Sequence, residues 1–167
     1  MLPNTSSDVA EASPEPRGID GIDRRILAIL QEDATVPITE IAFRVGVSQT
    51  PCWRRIQRLE REGIIRGRVA VVDPARVGLP LTALVFVQSP DHSPVWLRAF
   101  ADFVAATPEI VEAHRLAGDI DYVLRVVARD MEAYDRVYTR LIEAVPVKSV
   151  TSRFAIESLR TRGPIPL

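Results

Sequence analysis

The residues best equipped for chemistry sit in two places. Between Ser48 and Gly63 the chain reads SQTPCWRRIQRLEREG, which holds its single cysteine, Cys52, one of its two tryptophans, Trp53, and four arginines. Three chemistries compete for this stretch: a thiol activated by nearby guanidinium groups, a solvated or membrane-facing surface helix, and a helix that reads nucleic acid. The second place is HRLAGDIDYVLRV, His114 to Val126, where Gly118, Asp119 and Asp121 put a permissive glycine and two carboxylate acceptors into one turn. A plain hairpin explains that spacing on its own.

Little else suggests reactivity. One cysteine forms no intrachain disulfide and no CxxC pair, and His92 and His114 are too few for a histidine-based metal site. There is no glycine-rich phosphate loop, no nucleophile elbow and no paired histidine. The expectation is a protein that is not an enzyme and has no cofactor or metal. His114 alternates with Leu116 along a strand, which leaves two readings, a satisfied and partly buried histidine or a ligand-selecting contact. Trp96 reads as packing.

The 167 residues are 47 % hydrophobic and 26 % charged, as in globular proteins, and no apolar run approaches the ~20 residues of a membrane span. The start, MLPNTSSDVAEASPEPRG, lacks a signal-peptide pattern and reads as a disordered tail, so an intracellular protein is expected. A net charge of −1 speaks against nucleic acid, but its distribution does not. Ile41–Arg68 carries seven arginines against two glutamates, whereas Leu81–Ser158 carries eight basic residues against eleven acidic ones. One half is built to meet phosphate.

The elements that position these residues follow from periodicity. GIDGIDRRILAILQED spaces Ile22, Ile26, Ile29 and Leu30 as a helix, with Asp20 or Asp23 as N-cap. PITEIAFRVGV gives a short helix with Ile38, Ile41, Ala42 and Val45 inward, stopped by Gly46. The Ser48–Gly63 stretch is a third helix, capped by Ser48, with Pro51 harmless in its first turn. IIRGRVAVVDP is β-prone about a tight Arg66-Gly67-Arg68 turn, so the whole predicts a winged helix-turn-helix. After the breaks at Asp73-Pro74 and Gly78-Leu79-Pro80, the pattern is βαββαβ, that of a ferredoxin-like sandwich. Its first helix buries Val95 or Trp96, Phe100, Phe103 and Val104. Its second is capped by Asp130 and turns Met131, Tyr134, Val137 or Tyr138, and Leu141 inward. The expected class is α+β: a tail over 1–18, the helix-turn-helix over 19–68, a linking strand over 69–79, a regulatory domain over 80–158 and a Pro-stiffened tail over 159–167.

On the third helix Cys52, Ile56 and Leu59 share the inward side, where cysteine serves as a small hydrophobe. Opposite lie Thr50, Arg54, Gln57 and Arg61, with Trp53 on the flank, side chains suited to base edges and phosphates. Thr50, Trp53, Arg54 and Gln57 are the expected groove contacts; Gln49, Arg58, Arg61, Arg66 and Arg68 are the expected phosphate contacts.

DRRILAILQED, TEIAFRVGVSQTPCWRRIQRLEREGIIRG, VVDPARVGL and AGDIDYVLRV in succession resemble the landmarks of the Lrp/AsnC ("feast/famine") regulators, from about Ile19 to the terminus. TPCWRRIQRLE, HSPVWLRAF and VTSRFAIE are similar to the cysteine-responsive branch. The resemblance implies a cytoplasmic, nucleoid-associated transcriptional regulator, a homodimer assembling toward an octamer, that binds double-stranded DNA and an amino-acid effector. It places the effector between dimers, where Gly118 would offer backbone groups, Asp119 and Asp121 would attract an ammonium, Tyr122 would wall the pocket or order the loop, and Ser152 would reach a ligand of the neighbouring dimer. Val150 stands where the family often has threonine, which implies a smaller or less polar ligand. A structural nucleoid-organising protein and a siroheme-decarboxylase-like enzyme are the rival expectations.

Overall fold

Asp20 starts the first helix by a reciprocal cap. Its carboxylate accepts from the amides of Ile22 and Asp23, each at 2.9 Å, while the Asp23 carboxylate accepts from the Asp20 amide at 3.1 Å. The computed structural model describes residues 18–167, so the tail expected over 1–18 falls, apart from Gly18, outside the described residues. The chain forms two compact units, one running up to Ala70 and including Arg162–Leu167, the other Val71–Thr161.

The first unit packs α1 (Gly21–Glu32), α2 (Ile38–Val45) and α3 (Gln49–Arg61) around Ile26, Leu27, Ile41, Ala42, Val45, Cys52, Ile56 and Leu59. Gly46 ends α2 in the left-handed conformation (φ 75°), which a β-carbon would disfavour, and so makes the sharp turn into α3. Ser48 occupies the N-cap of α3, but its hydroxyl makes no capping bond. The helix ends where Gly63 turns (φ 71°) and the Ile65 amide returns to the Leu59 carbonyl at 2.9 Å.

The wing expected around Arg66–Arg68 does not form, and neither does the linking strand over 69–79. Residues 66–73 have no regular secondary structure, followed by one 3₁₀ turn at Ala75–Val77. The reason is local. Ile64 and Ile65 pack against the helical core and Ile65 gives its amide to α3, so no strand remains before Gly67 to pair with the valines after it. Val69, Val71 and Val72 stay exposed. The terminal segment is no free tail: the Ile165 amide donates to Gln31 Oε1 at 2.7 Å, and its carbonyl accepts from Gln31 Nε2 at 3.3 Å.

The second unit is the expected βαββαβ sandwich: β1 (Leu81–Gln88), α4 (Pro94–Ala106), β2 (Ile110–Arg115), β3 (Tyr122–Ala128), α5 (Met131–Ala144) and β4 (Ser149–Phe154). The sheet is antiparallel in the order β2-β3-β1-β4. Period-2 alternation turns Ala83, Val85 and Val87, with Tyr122, Leu124 and Val126, toward α4 and α5. Trp96 is the buried member of the Val95/Trp96 pair and Val137 that of the Val137/Tyr138 pair. Met131 corrects the expectation, lying exposed at the first position after the Asp130 cap, before the helix reaches the sheet. Thr82, Leu84, Phe86, Val123 and Arg125 occupy the opposite face, which no helix of this unit covers.

Candidate nucleic-acid interface and effector loop

The inward side of α3 is closed. Cys52 is fully buried, and burial pushes its thiol above the ordinary range, so it remains a neutral packing group. The outward side is open: Gln49, Thr50, Trp53, Arg54, Gln57 and Arg61 are exposed, Trp53 by 52 %. Arg66 and Arg68 are exposed after the helix; Arg68 is drawn back by Glu60 at 2.9 Å, and the same carboxylate receives the Gln57 amide at 2.9 Å.

Arg58 does not belong with the free cations. Its guanidinium donates to the Asp23 carboxylate at 2.5 Å, and Arg55 donates to the same carboxylate at 2.9 Å and to Asp20 at 2.6 Å. Asp23 is completely enclosed, so the pair of bonds locks the first turn of α1 to the flank of α3. Asp20 is pulled down to about 2, first by the Asp23 amide and then by Arg55. Sequence reasoning missed this lock. Its signal was a matched spacing: carboxylates three apart at 20 and 23, guanidinium groups three apart at 55 and 58, each pair on one helical face.

In the second unit, the turn after β2 is also tied down. Gly118 takes φ 137°, the Leu116 amide donates to the Asp121 carbonyl at 2.7 Å, and the Asp121 amide donates to Val87 at 3.1 Å. The Asp121 carboxylate accepts from the Ser89 amide at 2.8 Å and its hydroxyl at 3.1 Å, with His92 Nε2 at 3.5 Å. These contacts, the Ser89 amide foremost, hold its carboxyl below the usual range. Gln88 donates to the Asp119 carbonyl and accepts from the Ser149 hydroxyl at 2.7 Å. Ser89, His92 and Asp121 form a closed triangle rather than a relay, since the serine proton already points at the carboxylate. Asp119, by contrast, is exposed, and its carboxylate makes no hydrogen bond or ion pair among the described residues.

The structure therefore divides the expected effector residues. Gly118 and Asp119 line the free edge of the turn, while Asp121 is engaged by Ser89. Tyr122 is buried against Trp96 and Phe100, with ring centroids 5.7 and 4.6 Å away. Ser152 faces α5 and shares a hydrogen bond with the Tyr134 hydroxyl. His114 is exposed opposite Val123, on the other face of the sheet from Ser152, which corrects its reading as a satisfied, partly buried group. Gln88, Ser89 and His92 were missed; they lie in the polar run QSPDHSP, which begins at the last residue of β1.

Among the described residues no cluster of three or more His, Cys, Asp or Glu is placed to hold a metal, and no helix is long and apolar enough to cross a membrane. Residues 19–60 match the AsnC-type helix-turn-helix domain and residues 82–165 the Lrp/AsnC ligand binding domain. The chain belongs to the Lrp/AsnC family. Among its relatives, the DNA-binding transcriptional activator DecR of Escherichia coli (strain K12) is 42 % identical over 89 % of this chain and 99 % of its own. The glutamate uptake regulatory protein of Zymomonas mobilis is 40 % identical over 90 % of this chain and 92 % of its own. A crystal structure of an AsnC family transcriptional regulator from Agrobacterium tumefaciens superposes with a TM-score of 0.83 at 45 % identity, covering 89 % of this chain and 97 % of that one. A transcriptional regulator from Neisseria meningitidis, solved as its L-Met complex, gives 0.83 at 31 % identity with the same coverage. This Lrp/AsnC chain thus pairs a helix-turn-helix with a ligand-binding sandwich.

Proposed function

We propose that the protein is a transcriptional regulator that reads duplex DNA with α3 and adjusts that binding to a small amino acid. The observation that carries this reading is the two-sided α3: Cys52, Ile56 and Leu59 anchor one side, and Thr50, Trp53, Arg54, Gln57 and Arg61 are exposed on the other. A helix so presented enters the major groove, where arginine and glutamine read base edges and flanking arginines take phosphates. Arg66 and Arg68 serve phosphate from an exposed segment in place of a β-wing, Arg68 leaving Glu60 to do so.

The effector is an α-amino acid, cysteine being the first to test. Asp119 takes the ammonium and Gly118 offers its backbone to the carboxylate; Asp121, clasped by Ser89, holds the turn in shape. Ser152 and His114 reach a ligand only from other copies in an assembled ring. Dimerisation through the uncovered sheet face pairs two α3 helices on a roughly palindromic site, and further assembly toward an octamer couples effector occupancy to promoter binding. Such a protein works in the cytoplasm on the nucleoid, and catalyses nothing.

The test is isothermal titration of the full chain with a panel of amino acids that includes cysteine and methionine. Binding of one of them, together with altered DNA affinity in its presence, is expected. No binding at millimolar concentration overturns the effector half of the proposal and favours a structural, nucleoid-organising role.

A further inference from the structure

The lock between α1 and α3 has an outer half that the packing does not require. Asp20, Pro51, Arg54, Arg55 and Arg58 line an open cleft of about 390 Å³. Positions 51, 54, 55 and 58 form one stripe along α3, immediately beside the stripe of Thr50, Trp53, Arg54 and Gln57. A duplex whose groove receives the second stripe runs one of its phosphate strands along the first.

The two aspartates of the lock are unequal. Asp23 is fully enclosed, whereas the Asp20 side chain is 50 % exposed at the cleft mouth, 2.6 Å from Arg55 Nη1. A guanidinium has five N–H donors, so Arg55 can keep Asp23 and exchange its outer partner. Three arginines face two carboxylates here, leaving one positive charge in excess. We infer that this cleft is a phosphodiester site of the DNA backbone, and that Asp20 is an internal competitor held by Arg55 in the place a phosphate takes when DNA binds. Arg55 thereby becomes a DNA contact, and Asp20 a restraint on sequence-independent binding. The inference rests on the DNA-binding reading above.

Asp20→Asn isolates the effect, because asparagine caps a helix as well as aspartate and removes only the charge. The probe is a labelled 30-base-pair duplex of random sequence, followed by fluorescence anisotropy with the full chain between 50 and 200 mM KCl. For each DNA-binding unit engaged, D20N is expected to bind about 3- to 5-fold tighter at 50 mM, with a salt slope steeper by about 0.9, which removes about 3-fold of that gain at 200 mM. Glu32→Gln, an exposed carboxylate at the far end of α1, is expected to change neither quantity. In the D20N/R55Q double variant the gain is expected to vanish. An unchanged or weaker D20N, an equal gain in E32Q, or a gain that persists without Arg55 overturns the inference. Should D20N fail to fold, Asp20→Ser retains a capping oxygen and reads the same quantity. If the wild-type chain binds no random duplex at 50 mM salt, the DNA-binding reading itself fails, a result distinct from any of these.

Discussion

Asp23→Asn is the perturbation that probes the recognition helix from behind. The carboxylate has no exposure and receives the Asp20 amide, Arg55 and Arg58 at 3.1, 2.9 and 2.5 Å. Removing one member of a fully buried pair costs about 3–5 kcal/mol. Here the two arginine side chains keep 29 % and 23 % exposure, so they rehydrate in part, and Arg55 retains Asp20. The loss is therefore set lower, at about 2 kcal/mol. Cys52, the only thiol and fully buried, gives an assay specific to this unit: pulse labelling across a urea titration reports when the helical core opens. With a slope of about 1–2 kcal/mol per molar urea, the labelling midpoint is expected to fall by about 1–2 M. DNA affinity should fall with it, while titration of the effector is unchanged. A midpoint within about 0.3 M of wild type would refute the claim that this ion pair holds α3 in place.

Four further outcomes follow from the same geometry. Asp119→Asn should abolish the heat of amino-acid binding and leave DNA affinity intact, whereas Ser89→Ala should weaken effector binding less and broaden the NMR signals of the turn. Asp121 titrates below the ordinary aspartate range in the folded chain. The stability from its clasp is thus fully present above the unfolded value and is lost as pH falls through the folded one, so the protection of the Ser89 amide relative to its intrinsic exchange rate should hold at pH 5 and fall only in acid below about 4. Cys52 has the opposite sign: its folded value is raised, so it contributes stability below the unfolded thiol value that is lost as pH rises through the folded one, and iodoacetamide should label it at pH 8 only as fast as the unit opens.

The helices and strands were legible because each carries one clean period. Cys52, Ile56 and Leu59 recur at helical spacing, and Ala83, Val85 and Val87 alternate, so the pattern assigns both the element and its buried face. The wing was misread because β-propensity describes a residue's fit to a sheet, not the existence of a partner strand. The Asp23 lock and the Ser89–Asp121 clasp were illegible for a related reason. Each joins residues more than thirty apart whose types are unremarkable alone, and only the packed units bring them together. At the Gly118–Asp121 turn the motif named Asp119 and Asp121 alike; the structure separates them, one exposed and one engaged by Ser89.

The central claim is that the open side of α3 selects DNA sequence. Selection of bound duplexes from a random pool by the full chain, repeated with Arg54→Ala, tests it directly. The wild-type chain is expected to enrich a roughly palindromic site, and R54A is expected to bind that site weaker by about 1–3 kcal/mol, roughly 5- to 150-fold, with preference lost at one base position in each half. Enrichment of the same site by R54A with undiminished affinity, or no enrichment by the wild-type chain, would contradict it.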